Sequence, residues 1–247
     1  MFTVSAAQLR DAQDVRFTSK HNGSSTYHLY GAHLAELQAP YGLLVYLHGD
    51  GAGEFSDPLD SSIKDYARVA RQYGLLMIAP RTPDRKYQTW WHEESSPRYL
   101  RELLQDLYSR YPINRKRIWF VGYSGGAETL SYNILTDDND LFDGGGVLFL
   151  GGGGFDNKTT FSRAPKKALK AHFYLHWLVG ADDSPTKGGA DHGFNALAAA
   201  QKGYQRYTSA GFMTKITILP HVDHYRVCAY GAVSLAEMLE RASRSAQ

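Results

Sequence analysis

The chain of 247 residues reads as an α/β fold: a mostly parallel sheet with helices on both faces and an antiparallel hairpin at one edge. Three observations predict this. From about residue 40 onward, apolar runs of strand length alternate with runs of helix length, the order of parallel strands joined by crossover helices. The connections between these runs are short. Before them, "DVRFTSK" and "STYHLYGAHL" both alternate and flank "HNGS", which is the layout of two antiparallel strands and their turn.

The elements follow in order. "YGLLVYLHG" (41–49) is an apolar strand ending in a glycine turn, and "SSIKDYARVARQYG" (61–74) is an amphipathic helix with Gly74 as its C-cap. "LLMIAP" (75–80) is a strand, and "PRYLRELLQDLYSRY" (97–111) is a helix with Pro97 in its first turn. "RIWFVG" (117–122) is a buried strand followed by a helix over 127–135. Strands at 146–151, 172–180 and 215–220 then alternate with helices at 194–211 and 230–243. About twenty residues separate the strands ending near 151 and starting near 172, which leaves room for a loop or short helix and not for a cap domain. With no internal repeat and no low-complexity linker, residues 1–247 read as a single domain.

Composition narrows the function. With 43% hydrophobic residues the chain can bury a large core, and 27 basic residues against 25 acidic ones leave a net charge of +2 without a charged block. Nothing points to nucleic acid or to a membrane surface as a partner. No segment reaches the roughly 20 apolar residues of a membrane span. Cys228 is the only cysteine, so no internal disulfide can form, and a cytoplasmic location is expected.

The chemistry centres on "GYSGG", where Gly122, Ser124 and Gly126 fit G-x-S-x-G between a strand and a helix. A serine on so sharp a turn lifts its hydroxyl above the sheet, and side chains at the flanking glycines would collide across the turn. An ordinary strand-to-helix turn with a capping serine could carry the same letters. After the strand at 41–47, "HGDGAG" (48–53) is a glycine loop whose N–H groups can face Ser124. Gly125, directly after the serine, supplies another N–H at the positive end of the next helix. "GADDSP" offers Asp182 and Asp183 after the strand at 172–180, and "PHVDHYR" offers His221 and His224 after the one at 215–219. "HVDH" has no recognisable third ligand, so no metal is expected. Trp90 and Trp91 in "YQTWWHEE", Tyr123 beside the serine and Tyr225 beside the histidine are candidate substrate contacts, though the Trp pair could equally pack as core. Two glycine runs bracket the strand at 146–151, and the second could line the floor of a site.

The order Ser, Asp, His at the ends of successive late strands, together with "YLHGDG", "YPINRKRIWFVGYSGGAETLSY" and "LVGADD", resembles the α/β-hydrolase superfamily over about residues 40 to 243. Within it the chain is similar to small cap-less esterases akin to polyhydroxybutyrate depolymerases, feruloyl esterases and carboxylesterase/phospholipases. The resemblance implies Ser124 as nucleophile, Asp183 as acid, His224 as base, and the N–H groups of Asp50 and Gly125 as an oxyanion hole. His221 and Asp223 stand where the family has glycines, and the cysteines of secreted depolymerases are absent. The expected activity is hydrolysis of short-acyl, carbohydrate or aryl esters, with a small or oligomeric ester as partner and no cofactor. A peptidase or thioesterase would use the same residues, and a binding protein that has lost catalysis is the reading from another class.

Overall fold

The computed structural model describes residues 9–245 except 60, 157, 191 and 192. Its eight strands are β1 (Ala12–Thr18), β2 (Ser24–Tyr30), β3 (Tyr41–Leu47), β4 (Leu75–Pro80), β5 (Ile113–Tyr123), β6 (Gly145–Leu150), β7 (Phe173–Gly180) and β8 (Met213–Leu219). They form one sheet in the order β1-β2-β4-β3-β5-β6-β7-β8. β2 runs antiparallel to both β1 and β4, and every other pair is parallel. The helices are α1 (Gly53–Ser56), α2 (Ile63–Gln72), α3 (Ser95–Arg110), α4 (Gly125–Thr129), α5 (Leu135–Asp137), α6 (Lys167–His172), α7 (Ala196–Ser209) and α8 (Cys228–Ser245).

Side chains of a strand alternate between the two faces of its sheet, and the central strands are apolar on both because both faces are covered. Leu43, Val45 and Leu47 of β3 join Ile118 and Phe120 of β5 and Trp177 of β7 in one core, under Leu100, Leu103 and Leu107 of α3 and Ala200 and Tyr207 of α7. Their neighbours Leu44, Tyr46, Trp119 and Val121 face the other core, closed by Ile63, Tyr66 and Val69 of α2 and Leu235 and Leu239 of α8.

The structure departs from the sequence reading in three places. β5 begins at Ile113, because the polar stretch "INRKR" is extended although its side chains Arg115, Lys116 and Arg117 are exposed. Residues 32–34, read as the end of a strand, belong to a 3₁₀ turn over Ala32–Glu36. The helix after Ser124 starts at once with α4 and widens to a π turn over Leu130–Ile134, where the Ser131 carbonyl accepts from the Tyr207 hydroxyl at 2.6 Å. Between β6 and β7 the described residues carry α6 and no cap. No helix of the described residues is long and apolar enough to cross a membrane.

Candidate active site

The loops that follow β3, β5, β6, β7 and β8 leave the carboxyl edge of the sheet, where open α/β folds bind ligands. Ser124 sits on the turn from β5 to α4 with φ 50° and ψ −116°, a conformation that a residue with a Cβ adopts only under strain. Its flanking glycines have a steric cause. A Cβ on Gly122 would stand 2.7 Å from the Gly126 backbone, and one on Gly126 would stand 2.5 Å from the Leu47 carbonyl oxygen.

Ser124, His224 and Asp183 form one hydrogen-bonded chain. His224 Nε2 is 3.0 Å from Ser124 Oγ, and Nδ1 is 3.0 and 2.9 Å from the two oxygens of Asp183. A carboxylate only accepts, so the proton is on Nδ1 and Nε2 is left to accept from the serine. Asp183 is fully buried and His224 nearly so. Their loops are locked together: Asp182 N–H donates to the Val222 carbonyl (3.0 Å) and His224 N–H to the Gly188 carbonyl (3.1 Å). Asp182 is half-exposed and lies 3.7 Å from Lys187. His221 is exposed in a left-handed turn with φ 57°, at a position where glycine would be unstrained.

The β3 loop is held by buried side chains. His48 Nε2 accepts from the Thr82 N–H at 3.1 Å, so Nδ1 carries the proton and donates to the Gly49 carbonyl at 2.6 Å. Burial lowers the His48 pKa to about 4 and keeps the ring neutral. Glu54 accepts from the Gly49 N–H at 3.0 Å. The loop brings Asp50 onto Gly125: a Cβ on Gly125 would run into Asp50 Oδ1. The Asp50 carboxylate accepts from Trp91 Nε1 at 3.0 and 3.1 Å; burial raises its pKa, and the Trp91 hydrogen bond opposes that shift.

Of the aromatic candidates, Trp91 and Tyr225 are exposed, at 54% and 59%. The expectation that Trp90 contacts substrate is corrected. Trp90 is fully buried with its ring centroid 5.2 Å from that of His48, because the loop turns the first Trp under itself and the second outward. Tyr123 is buried too; its hydroxyl donates to the His224 carbonyl at 3.3 Å and its ring lies 5.2 Å from the imidazole.

The glycines at 151–154 form the floor. A Cβ on Gly151 would stand 3.1 Å from His224 Nδ1, and one on Gly152 would stand 3.1 Å from the Ser124 carbonyl oxygen. Gly153 is pressed against Phe149, and Trp177 Nε1 donates to its carbonyl at 2.7 Å. Sequence reasoning missed Glu128, one helical turn after the serine. Its Oε1 accepts from the N–H groups of Gly153 (2.8 Å) and Gly154 (3.1 Å), and burial pushes its pKa up to about 7. The only signal was an acidic residue in the first turn of a helix, which reads equally as a charge suited to the helix dipole. A surface depression of about 590 Å³, bordered by Phe155, Thr159, Lys202 and Arg206, holds none of these site residues.

No protein-family model matches the sequence, and no curated protein matches it. Solved structures do. Poly(aspartic acid) hydrolase-1 from Sphingomonas sp. KT-1 aligns at 12% identity and TM-score 0.65, over 94% of this chain and 99% of its own. The poly(3-hydroxybutyrate) depolymerase of Bordetella parapertussis aligns at 12% and 0.62, over 96% of each chain. A lid-less α/β serine hydrolase from Xanthomonas campestris aligns at 13% and 0.58, over 96% of this chain and 94% of its own. The strand order, the antiparallel β1–β2 pair, the helices on both faces and these likenesses together establish that the chain has the α/β-hydrolase fold.

Proposed function

We propose that the chain is a serine hydrolase that cleaves carboxylic esters through an acyl-enzyme. The observation that carries this is the chain from Ser124 Oγ through the imidazole of His224 to the buried Asp183, with steps of 3.0 and 2.9 Å, on a strained turn. In this reading Ser124 Oγ attacks the ester carbonyl while its proton passes to His224 Nε2. Asp183 holds the ring and stabilises the imidazolium. The N–H groups of Gly125 and Asp50 bind the oxyanion. The carbon–oxygen bond to the alcohol then breaks, and the alcohol leaves with the proton from His224. Water attacks the acyl-enzyme by the same route and releases the acid and free Ser124.

The substrate class follows from the rim. Trp91 and Tyr225 are exposed platforms for an aryl or sugar group, and no cap stands between β6 and β7 among the described residues to bury a long chain. At about 0.8 kcal/mol per buried CH₂, an open cleft gains little from added methylenes. Short acyl esters are the expected substrates, and a p-nitrophenyl series from acetate to palmitate checks this; a maximum at the long end would rule out the open cleft. Amide cleavage on the same residues is the second reading, because one structural neighbour is named a poly(aspartic acid) hydrolase.

A fluorophosphonate probe tests the whole scheme. Wild type should be labelled on Ser124 and Ser124→Ala should not, with ester turnover falling by about 10⁴ to 10⁶. Labelling elsewhere, or turnover in the variant above a hundredth of wild type, would refute it.

A further inference from the structure

The Asp50 carboxylate stands beside both groups that the scheme above assigns to the oxyanion. A Cβ on Gly125 would run into Asp50 Oδ1, and it would stand 3.1 Å from Trp91 Cδ1. Since a carbon–carbon bond is about 1.5 Å long, Oδ1 lies within about 3.5 Å of the Gly125 Cα. The residue before Asp50 is packed on the nucleophile: a Cβ on Gly49 would stand 3.5 Å from that of Ser124. The N–H of Gly125 is one proposed donor. The other is the N–H of Asp50 itself, which cannot be far from the carboxylate of the same residue. An ester carbonyl held between these two donors therefore has the carboxylate as a near neighbour.

The carboxylate is open to what binds there. Asp50 and Trp91 are both exposed, and Trp91 Nε1 donates to both carboxylate oxygens. One N–H shared by two oxygens uses only part of their acceptor capacity. The charges that bear on Asp50 are His224, which lowers its pKa, and Asp84, which raises it; Glu128 and Asp50 also bear on each other with the same sign. No described lysine or arginine is among these groups, so the edge of the oxyanion hole is negative. A fixed negative charge at this place opposes the charge that develops on the carbonyl oxygen during attack. A positive group on the substrate offsets that opposition, and a negative group adds to it.

We propose that the Asp50 side chain is a specificity-determining residue that sorts esters by charge, favouring those with a cation near the scissile bond and rejecting those with a carboxylate there. The inference rests on the ester-hydrolase reading above. It is separate from the backbone role of Asp50, because asparagine keeps the N–H and an oxygen for Trp91 and removes only the charge.

Two pairs of closely matched shape test this: acetylcholine against 3,3-dimethylbutyl acetate, and 4-acetoxybenzoate against 4-acetylphenyl acetate. The readout is the ratio of kcat/KM within each pair, each ester corrected for its hydroxide-catalysed rate, for wild type and Asp50→Asn at one pH. The ratio cancels any change that asparagine makes to the nucleophile or to the oxyanion donors, which all four esters share. Wild type should favour acetylcholine over its neutral match and the neutral aryl ester over the anionic one, by about fivefold or more in at least one pair. Asp50→Asn should remove most of that preference. Added salt should shrink the wild-type ratios toward unity, which keeps the test open if the variant does not fold. Turnover with no charge preference in either pair, or with ratios that salt leaves unchanged, overturns the inference. A cation preference that asparagine leaves intact belongs to the Trp91 ring face and overturns it too. In each of these cases the hydrolase reading stands. If no ester is turned over, the hydrolase reading fails and the inference fails with it.

Discussion

The Tyr123 hydroxyl donates to the main-chain carbonyl of His224, so the residue before Ser124 holds the residue that faces Ser124. The contact spans 101 positions of sequence and ties the end of β5 to the loop after β8. Tyr123→Phe should cost about 1 kcal/mol, a factor of about five, and the loss should fall on kcat with KM little changed. Steady-state kinetics on one ester check it. An unchanged kcat would mean that Asp183 and Gly188 hold His224 without help.

The two adjacent aspartates should differ sharply. Asp183→Asn puts an amide against Nδ1 of His224 and mis-sets the tautomer, a change that costs about 10⁴ in rate. Asp182→Asn removes only a half-exposed carboxylate 3.7 Å from Lys187, an interaction worth little at a surface. Comparison of the two variants at one pH decides it, and the reverse ranking would move the orienting role back by one residue.

Glycines in the segments after β6 and β3 predict a graded response. Gly151→Ala should lower kcat severely, because φ is +56° and the new Cβ would stand 3.1 Å from His224 Nδ1 and 3.2 Å from Asp183 Oδ2. Gly53→Ala meets nothing within 4 Å and should leave activity close to wild type. Thermal melts alongside the kinetics separate loss of fold from loss of site geometry.

These contrasts mark how far the sequence could be read. Ser124, Asp183 and His224 were legible because each follows the carboxyl end of a parallel strand, and those ends share one edge of the sheet. The strand at 75–80 was legible to the residue for the same reason: it is apolar throughout and has glycine before it. The first residues of β5 were not, since "INRKR" is polar and pairs with β3 only at Ile113, residues 114–117 lying in a register shift before the Leu43–Ile118 pair. Nor was the division between Trp90 and Trp91, identical in type and adjacent, because only the path of the loop decides which is covered. Glu128 and the glycine run needed each other to be understood: the carboxylate explains two of the glycine N–H groups, and the close neighbours explain why no side chain follows.

Two buried groups should give stability opposite dependences on pH. Burial lowers the His176 pKa from 6.5 to about 4, so between those values the unfolded chain binds the proton and the folded one does not. Stability from this group is complete above 6.5 and falls as the pH drops toward 4, by up to about 3 kcal/mol. Glu128 is raised from 4.5 to about 7, so the folded chain keeps the proton and stability falls as the pH rises through that range. The difference in Tm between wild type and His176→Gln should therefore grow less favourable to wild type on acidification. The difference from Glu128→Gln should do so on alkalinisation. A parallel pH dependence in wild type and either variant would show that the group concerned is not shifted.

Trp90 and Trp91 provide the last contrast, between stability and recognition. Trp90 is fully buried under the β3 loop beside His48, so Trp90→Ala leaves a large cavity and should cost about 3 to 5 kcal/mol, read as a lower Tm. Trp91 is 54% exposed, so Trp91→Ala should leave the Tm almost unchanged. Its effect should appear in binding, because the indole is a platform at the rim and its Nε1 holds the Asp50 carboxylate on both oxygens. KM for aryl esters should rise more than KM for alkyl esters of similar size, since only the aryl group loses a stacking partner. Trp91→Phe keeps the ring and removes the donor, so it separates the two roles. If stacking dominates, phenylalanine should restore the aryl preference; if the hold on Asp50 dominates, it should behave like alanine. Equal losses on aryl and alkyl esters in both variants would place Trp91 outside the substrate path.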